Sequence, residues 1–326
     1  MNHRRFWLTA LPTLWVSAAL GLASPLALAQ AYPHKSVKFV VPFPAGSATD
    51  SVGRIVAQAM SDAWGQPITI ENKAGANGIL GAEAVKAAPA DGYTFLVTTS
   101  TTQAANVHLY RKLNYDPIKD FTPIGKIGET GFILMVTPDF PAKDMKEFVA
   151  YAKAHPGKLA YGHGSSGSLV SAAMLTEMAG LQTVGVPYKG IPPALTDLMG
   201  GQVQFAFADV GNAISQMNGG RLRGLGVTTR KRAFKAPTVP PIGDTVKDYN
   251  VNAWFGLMAP ANLPPEVQRK ATATLLAVLA KPDVRDKLQG AGIDLDVEDS
   301  AALAKTIEAE VKKWGVWVKS AGITPE

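Results

Sequence analysis

One short stretch near the start of the chain limits the fold more than any other. Val37 to Val41 is an apolar, β-rich run that predicts a buried strand. Apolar residues recur at helical spacing from Val52 to Ala63, which predicts a helix soon afterwards. Between them lies a loop of small and hydroxyl residues, Phe43-Pro44-Ala45-Gly46-Ser47-Ala48-Thr49-Asp50. The chain therefore opens with a strand, a polar loop and a helix N-terminus.

Such a junction can bind an anion without a lysine or arginine. Ser47 or Thr49 can cap the helix, Asp50 suits its first turn, and Gly65 can end it. Backbone N–H groups and small hydroxyls then converge on one point, with the positive end of the helix dipole behind them. The same residues also suit an ordinary strand-to-helix turn that binds nothing. This stretch alone leaves both interpretations open.

The first 29 residues predict a secretory signal peptide, so the mature chain is expected to begin near Gln30. Residues 3 to 5 form a positive n-region, Phe6 to Leu22 an apolar h-region, and Ala27-Leu28-Ala29 an A-x-A cleavage site. The pair Arg4-Arg5 also permits a twin-arginine signal. No later run reaches the length of a transmembrane helix, so we expect an exported protein.

Composition is consistent with export and gives a weak hint about the ligand. The sequence contains no cysteine, so the remaining chain of about 300 residues relies on its cores, and this length suits two lobes. Lysine and arginine total 32 and acidic residues 26. This mild excess is spread along the chain, so it favours acidic small molecules and does not indicate a nucleic-acid partner.

Strand and helix patterns alternate nearly throughout, which indicates an α/β fold with largely parallel sheets. Two more polar tracts follow predicted strands: Thr98 to Gln103 after Tyr93 to Val97, and Gly162 to Ser168 after Leu159 to Tyr161. Sheets of this class place ligands beyond the carboxyl ends of their strands. Asp209 also ends a strand, where it can cap the next helix or contact a ligand. The repeated plan suggests two similar lobes.

Several chemistries are disfavoured by the residues that the chain lacks. Gly162 to Gly167 matches G-x-G-x-x-G, but Pro187 to Gly190 offers no carboxylate where a nucleotide's ribose would need one. His163 lies too near Ser165 and Ser166 along the loop to form a usual base–nucleophile pair. The chain contains no cysteine, and no two of its histidines have the spacing of metal ligands. We therefore expect binding rather than catalysis, without a metal or cofactor.

A set of motifs spanning the mature chain resembles one family. The resemblance is to the tripartite tricarboxylate transporter receptors, also called the Bug family. The first-half motifs are Val41 to Asp50, Trp64-Gly65-Gln66-Pro67, Glu71 to Gly75, Ala88 to Tyr93, Asp116-Pro117 and Asp120 to Pro123. The second-half motifs are Val186 to Gly190, Gly200 to Val203, Arg221-Leu222-Arg223 and Trp254 to Leu257.

The resemblance implies an α/β, two-lobed periplasmic binding protein of the type II, Venus-flytrap kind, with a ligand cleft between the lobes. We expect residues 30–128 and 252–326 to form domain 1 and residues 129–251 to form domain 2. The implied function is to deliver a small carboxylate to membrane permease subunits, and we expect a monomer that is not an enzyme. A ligand-dependent extracytoplasmic sensor of the same fold, or a secreted enzyme, stays open as an alternative.

The resemblance also implies which residues contact the ligand. They belong to the first strand–helix loop, the loop after the third strand, the second-lobe loop and two cleft positions: Ala45, Gly46, Ser47, Thr49, Thr99, Ser100, Thr101, Ser165, Ser166, Gly167, Ser168, Tyr188 and Asp209. We expect the Gly46 amide, Ser47 and Thr49 to hold a first carboxylate. These loops contain no arginine for a bidentate clamp, which leaves open a monocarboxylate with an aromatic or polar tail, or a dicarboxylate held by hydroxyls.

This chain departs from the family's usual pattern at two loops. Ser47 stands where the first loop usually has a second glycine, so a hydroxyl can replace a backbone contact or a water. The second-lobe loop, Ser165 to Ser168, is richer in serine than usual and lacks a histidine often found shortly after it. Both departures bear on which ligand fits, and neither affects the expected fold.

Overall fold

The structure is a computed structural model that describes residues 32–326. The predicted signal peptide lies outside the described residues. The strands are β1 Val37–Val41, β2 Ile68–Asn72, β3 Thr94–Thr99, β4 Phe121–Thr130, β5 Phe132–Val136, β6 Leu159–His163, β7 Thr183–Pro187, β8 Phe205–Asp209, β9 Arg223–Val227, β10 Ala253–Pro260 and β11 Asp294–Glu298.

The α-helices lie mostly between these strands. They are α1 Ala48–Trp64, α2 Ile79–Lys86, α3 Asn106–Leu109, α4 Met145–Ala154, α5 Ser166–Met178, α6 Ile191–Met199, α7 Val210–Asn218, α8 Pro265–Leu279, α9 Pro282–Gly290 and α10 Ser300–Ser320. A π-helical turn, Thr101–Ala105, joins β3 to α3. Within residues 32–326, no helix has both the length and the apolar character needed to cross a bilayer.

The strands form two sheets, and each sheet defines one lobe. The first lobe has the order β11-β4-β10-β3-β1-β2, and the second lobe has the order β7-β6-β8-β5-β9. The predicted two-lobed α/β class is confirmed. The sheets show which strands pair, but they do not test the predicted domain bounds at 128/129 and 251/252, which stay a prediction.

The prediction of largely parallel sheets was wrong, because both sheets are mixed. The pairs of β1 with β2 and β3, and of β6 with β7 and β8, are parallel. In contrast, β10 runs antiparallel to β3 and β4, and β5 runs antiparallel to β8 and β9. These antiparallel pairs arise where the chain crosses between lobes: β4 continues into β5 with only Gly131 between them, and β10 follows the second lobe back into the first sheet.

The first strand–helix unit forms as predicted. The strand β1 is buried except at Lys38, which explains its apolar run. Ser47 is the N-cap of α1, and its Oγ accepts a hydrogen bond of 3.2 Å from the Asp50 N–H. Gly65 ends the helix in the left-handed region at φ 64°, where a glycine lacks the steric cost of a Cβ. The polar loop therefore lies at a well-defined helix N-terminus.

The C-terminal helix α10 is the last element of the chain, yet it packs against the core of the second lobe. Its buried residues Trp314 and Val318 belong to the same core cluster as Leu134 of β5 and Phe207 of β8. That cluster also contains Leu109 of α3. Burial of such large side chains contributes roughly 1.5–3 kcal/mol each. The C-terminal helix therefore helps to fix the region where the two lobes join.

The sequence interpretation did not anticipate α9 and β11. The strand β11 is mostly half-buried or exposed and carries three acids, so it lacks the apolar run of a buried strand. It is held at the sheet edge by its pairing with β4 and by Lys126 of that strand. The Lys126 ammonium pairs with Asp296 and, at 3.2 Å, with Glu298. Tertiary pairing therefore outweighs a weak local signal.

Candidate functional site

A cavity lies between the two lobes, at the loops that the sequence singled out. Its unfilled space is about 430 Å³, part of which is open solvent at the mouth. The crossover strands β4, β5 and β10, the loops after β1, β3 and β6, the end of β8 and the start of α6 contribute to its wall. The lining residues are Phe43, Ser47, Ala48, Thr49, Thr99, Thr101, Thr130, Phe132, Gly164, Ser165, Ile191, Asp209, Ala253 and Phe255.

The N-terminus of α1 presents free backbone donors to this cavity. Ser47 Oγ already accepts from the Asp50 N–H. The N–H groups of Ala48 and Thr49 precede the first intrahelical bond and have no hydrogen-bond partner within residues 32–326. Both residues line the cavity and are buried. Two unpaired donors at the positive end of a 17-residue helix form a strong local attraction for an anion.

The buried Asp50 fixes the shape of this loop. Its Oδ2 accepts from the Gly46 N–H and from Arg54 Nε, both at 3.0 Å, and its Oδ1 accepts from Asn72 Nδ2 at 2.8 Å. Burial alone would raise the pKa of Asp50, but the hydrogen bonds from Arg54, Asn72 and Gly46 outweigh it and lower the pKa. Asp50 is therefore ionised at neutral pH, and Arg54 offsets its charge.

This arrangement changes the expected role of the loop tip. The Gly46 N–H is occupied by Asp50, so it is not a free donor in this structure. Ala45 and Gly46 are exposed and do not line the cavity. The Ala48 N–H lies in the first helical turn rather than in the loop and, unlike the Gly46 N–H, has no partner within residues 32–326. The sequence could have indicated this donor, because a single N-cap side chain satisfies only one of the unpaired N–H groups at the start of a helix.

The threonine tract after β3 forms a second polar wall. Thr99 and Thr101 line the cavity, and Thr99 Oγ1 accepts from the Thr101 N–H at 3.2 Å. Ser100 lies between them but is not among the lining residues. Its Oγ is fully buried and has no hydrogen-bond partner within the described chain. Of the three predicted residues, the structure brings two to the cavity.

The second-lobe loop uses most of its serines to build a helix start. Ser165 caps α5 and lines the cavity, while Ser168 completes a capping box with it. Ser168 Oγ accepts from the Gly164 N–H at 3.0 Å, so Ser168 holds the loop in shape. Ser166 is fully buried, and a Cβ at Gly167 would lie only 2.1 Å from the Phe132 ring. Gly167 is therefore needed for close packing under the cavity wall.

Of the two predicted cleft residues, Asp209 lines the cavity and Tyr188 does not. Asp209 lines the cavity and also caps α7, accepting from the Asn212 N–H at 3.1 Å and from Asn212 Nδ2 at 2.9 Å. Burial raises the pKa of Asp209, since both of these partners are neutral. Tyr188 does not line this cavity, because its hydroxyl donates to Asp197 at 2.8 Å. It lines a neighbouring cavity together with His163.

Sequence reasoning missed the aromatic part of the wall, formed by Phe43, Phe132 and Phe255. Two of these lie on the crossover strands, where side chains two positions apart share a face. Thr130 and Phe132, at the junction of β4 and β5, face the cavity, and so do Ala253 and Phe255 of β10. The alternation of side chains along the predicted crossover strands could have indicated that these residues share one face.

The cavity combines a few polar groups with apolar walls and lacks basic side chains. No lysine, arginine or histidine occurs among its lining residues, and Asp209 is its one acidic residue. Backbone N–H groups and Ser or Thr hydroxyls face apolar and aromatic walls. Across residues 32–326, no group of three or more histidine, cysteine, aspartate or glutamate side chains is placed to hold a metal ion. The site can bind an anionic group beside an apolar body.

The lobes touch each other at the rim of the cavity. Asn77, in a turn of the first lobe, donates from Nδ2 to Ser166 Oγ of the second lobe at 2.7 Å. Asn77 adopts φ 51°, a left-handed conformation that asparagine tolerates better than most residues. Pro44 of the first loop meets Gly190 of the second lobe, where an added Cβ would lie 2.6 Å from Pro44 Cδ. These contacts close the rim on two sides.

His163 gives a test of the packing beside the cavity. Burial lowers its pKa from 6.5 to about 4. The folded state therefore binds fewer protons than the unfolded state between these values, and stability falls as pH falls from 6.5 toward about 4. We expect the neutral His163→Gln variant to lack this component, which the shift from 6.5 to about 4 puts on the order of 3 kcal/mol. Urea unfolding of both proteins across this pH range measures it, and parallel stability curves would contradict the burial of a neutral imidazole.

Comparison with known proteins gives the same family as the sequence motifs. The model of the family described as "Tripartite tricarboxylate transporter family receptor" matches residues 52–323. The protein BugT of Bordetella pertussis is 29% identical over 323 residues, which is 94% of each chain.

Solved structures agree with this comparison. The R. palustris protein Rpa4515, solved with adipate, is 33% identical, with a TM-score of 0.88 over 90% of this chain and 100% of its own. MatC from Rhodopseudomonas palustris, solved with bound malate, is 33% identical, with a TM-score of 0.81 over 88% of this chain and 100% of its own. The predicted resemblance is confirmed: the chain belongs to the tripartite tricarboxylate transporter receptor family.

Proposed function

We propose that the chain is a periplasmic receptor that captures a small organic acid and presents it to the membrane permease subunits of a tripartite tricarboxylate-type transporter. One observation carries this proposal: the N–H groups of Ala48 and Thr49 are unpaired at a helix N-terminus that faces a cavity without basic side chains. A carboxylate suits these donors, because it accepts two N–H bonds and is favoured by the helix dipole.

The proposed capture uses the first lobe for the charge. One carboxylate accepts from the Ala48 and Thr49 N–H groups, and the hydroxyls of Ser47 and Thr49 can donate to it from the same turn. Asp50 does not repel the ligand strongly, since Arg54 pairs with it at 3.0 Å. This assignment keeps Ser47 and Thr49 from the sequence hypothesis and replaces the Gly46 amide.

The rest of the cavity is proposed to select the ligand's body. The rings of Phe43, Phe132 and Phe255 provide apolar walls for an aliphatic or aromatic portion. Thr99, Thr101, Ser165 and Asp209 offer hydroxyl and carboxyl groups to a second polar end. Two similar proteins were solved with adipate and with malate, which are both dicarboxylates, and this supports a ligand with such a second end. Aliphatic dicarboxylates are therefore the first class to test.

We also propose that the protein acts by closure rather than by catalysis. Ligand held by α1 on one lobe and by Ser165 on the other would favour the arrangement in which the lobes touch. The predicted division, with residues 30–128 and 252–326 against residues 129–251, would make β4, β5 and β10 the connections about which the lobes move. The hydroxyls of the cavity have no adjacent histidine or lysine among the lining residues to activate them.

The ligand class can be tested by thermal shift after unfolding and refolding to remove bound ligand. A ligand at 100 times its dissociation constant should stabilise the protein by roughly 2.7 kcal/mol. We expect a shift with small carboxylates, and at least a tenfold loss of affinity in Thr49→Ala combined with Ser47→Ala. The shift is compared with each variant's own ligand-free melting temperature, because Ser47→Ala also removes a helix cap worth about 1 kcal/mol.

A matched control replaces two exposed hydroxyl residues, Thr238 and Ser320, by alanine, and it should bind as the unaltered protein does. If no mono-, di- or tricarboxylate raises the melting temperature, the organic-acid assignment is wrong. If the Ser47 and Thr49 variant binds as tightly as the control, the ligand does not use the α1 N-terminus.

Closure can be tested separately at Gly190. Its φ of 179° is extended and suits any residue, and an added Cβ would meet Pro44 across the rim at 2.6 Å. Because overpacking costs about 1–3 kcal/mol, we expect Gly190→Ala to weaken ligand binding about tenfold or more by isothermal titration calorimetry. The ligand-free melting temperature should change little, since Pro44 can separate from Gly190 when the lobes open.

Gly200→Ala is the control at the other end of α6, where the nearest atom to an added Cβ is 3.5 Å away. It should leave affinity unchanged. Equal affinity of the Gly190→Ala variant and this control would show that binding does not require the lobes to meet at Pro44.

A further inference from the structure

The basic residues are not spread evenly, contrary to the sequence expectation. Between Asp209 and Asp244 the chain has six basic residues and no acidic residue. Four of the six fall within residues 230–235, which read Arg-Lys-Arg-Ala-Phe-Lys. We call residues 230–235 the basic loop. It follows β9 and belongs to the second lobe.

The basic loop is anchored rather than loose. At its start, the Thr228 N–H donates to the Phe132 carbonyl at 2.8 Å, and Thr228 Oγ1 donates to the Val251 carbonyl at 2.6 Å. Ala233, Ala236 and Val239 are buried against the second-lobe core. Successive turns join these three anchors, with N–H to carbonyl distances of 3.0 and 3.1 Å. The side chains between the anchors are therefore held outward.

Those outward side chains are four cations and one aromatic ring. Arg230, Lys231, Arg232 and Lys235 are exposed, and none of them forms an ion pair within the described chain. Phe234 is 70% exposed, more than any other large hydrophobic residue in the described part of the chain. The Lys235 ammonium lies 5.8 Å from its ring centre. The loop therefore presents positive charge around a protruding apolar tip.

This combination matches the chemistry of an anionic bilayer surface. Each Lys or Arg near such a surface contributes about 1 kcal/mol of attraction, and an apolar side chain such as Phe can bury at the boundary between headgroups and acyl chains. Residues 230–235 do not line either of the two cavities described above. We propose that the basic loop docks the protein reversibly on an anionic phospholipid bilayer.

Docking would confine an exported receptor to the membrane surface where a permease must be met. The loop does not include any residue of the candidate ligand site, so this inference is independent of the ligand. Arg232 Nη1 donates to the Pro237 carbonyl at 2.9 Å, but no carboxylate within the described chain neutralises the four cations. Added salt should screen them, because the Debye length falls to about 8 Å at physiological ionic strength. Lipid binding should therefore be weak, reversible and sensitive to salt.

The test uses protein purified from the periplasm and sedimented with lipid vesicles. We expect vesicles of phosphatidylcholine with phosphatidylglycerol to recruit the protein, and vesicles of phosphatidylcholine alone to recruit much less. Combined Arg230→Gln, Lys231→Gln and Lys235→Gln should weaken recruitment by about fivefold per cation, or about a hundredfold in all. Phe234→Ala alone should weaken it by a smaller factor without changing net charge.

The matched control removes three exposed lysines elsewhere on the same lobe, by Lys146→Gln, Lys153→Gln and Lys158→Gln. It lowers the net charge equally and should retain recruitment within severalfold. Circular dichroism verifies that each variant is folded. Equal loss in the control would show that net charge alone acts and would overturn the proposal. It would also be overturned if anionic vesicles failed to recruit the unaltered protein, or if the loop bound only an acidic polypeptide such as polyglutamate.

Discussion

The carboxylate of Asp50 organises the part of the molecule on which the candidate site depends. It accepts from the Gly46 N–H in the loop, from Asn72 at the end of the neighbouring strand and from Arg54 one helical turn later. These bonds satisfy the loop's polar groups while leaving the Ala48 and Thr49 N–H groups unpaired. Since unpaired buried donors cost free energy, a ligand that accepts from them is favoured. The same carboxylate thus stabilises the loop and leaves two backbone donors available at the helix start.

Each lobe has a helix start that is capped by a serine and faces the cavity. Ser47 caps α1 and Ser165 caps α5, so each serine oxygen accepts from the third N–H of its helix. In both lobes the serine side chain is used by the protein, and backbone donors remain at the helix start. A cavity between two such helix starts attracts negative charge without basic side chains. Crossover strands supply Phe132, Ala253 and Phe255 to the apolar walls, so the backbone donors and much of the apolar wall come from different parts of the fold.

Much of the fold could be predicted because local signals agreed with tertiary structure. The apolar run of β1, the cap at Ser47 and the stop at Gly65 all act within one strand–helix unit. The mixed sheets and the charged edge strand β11 could not be predicted in this way, since they depend on pairing across the sheet. At the site, the small and hydroxyl residues that follow predicted strands were enough to locate the loops. It could not show that Gly46 donates to Asp50 or that Tyr188 turns to Asp197, because both bonds depend on side-chain placement.

The most direct test of the account is a crystal structure of the refolded protein with the carboxylate that binds most tightly. The account predicts that both oxygens of one carboxylate lie within hydrogen-bond distance, about 2.7–3.2 Å, of the Ala48 and Thr49 backbone nitrogens. The rings of Phe43, Phe132 and Phe255 should contact the ligand's body. A carboxylate paired instead with a lysine or arginine side chain, or a ligand lying away from the α1 N-terminus, would contradict capture by a helix start.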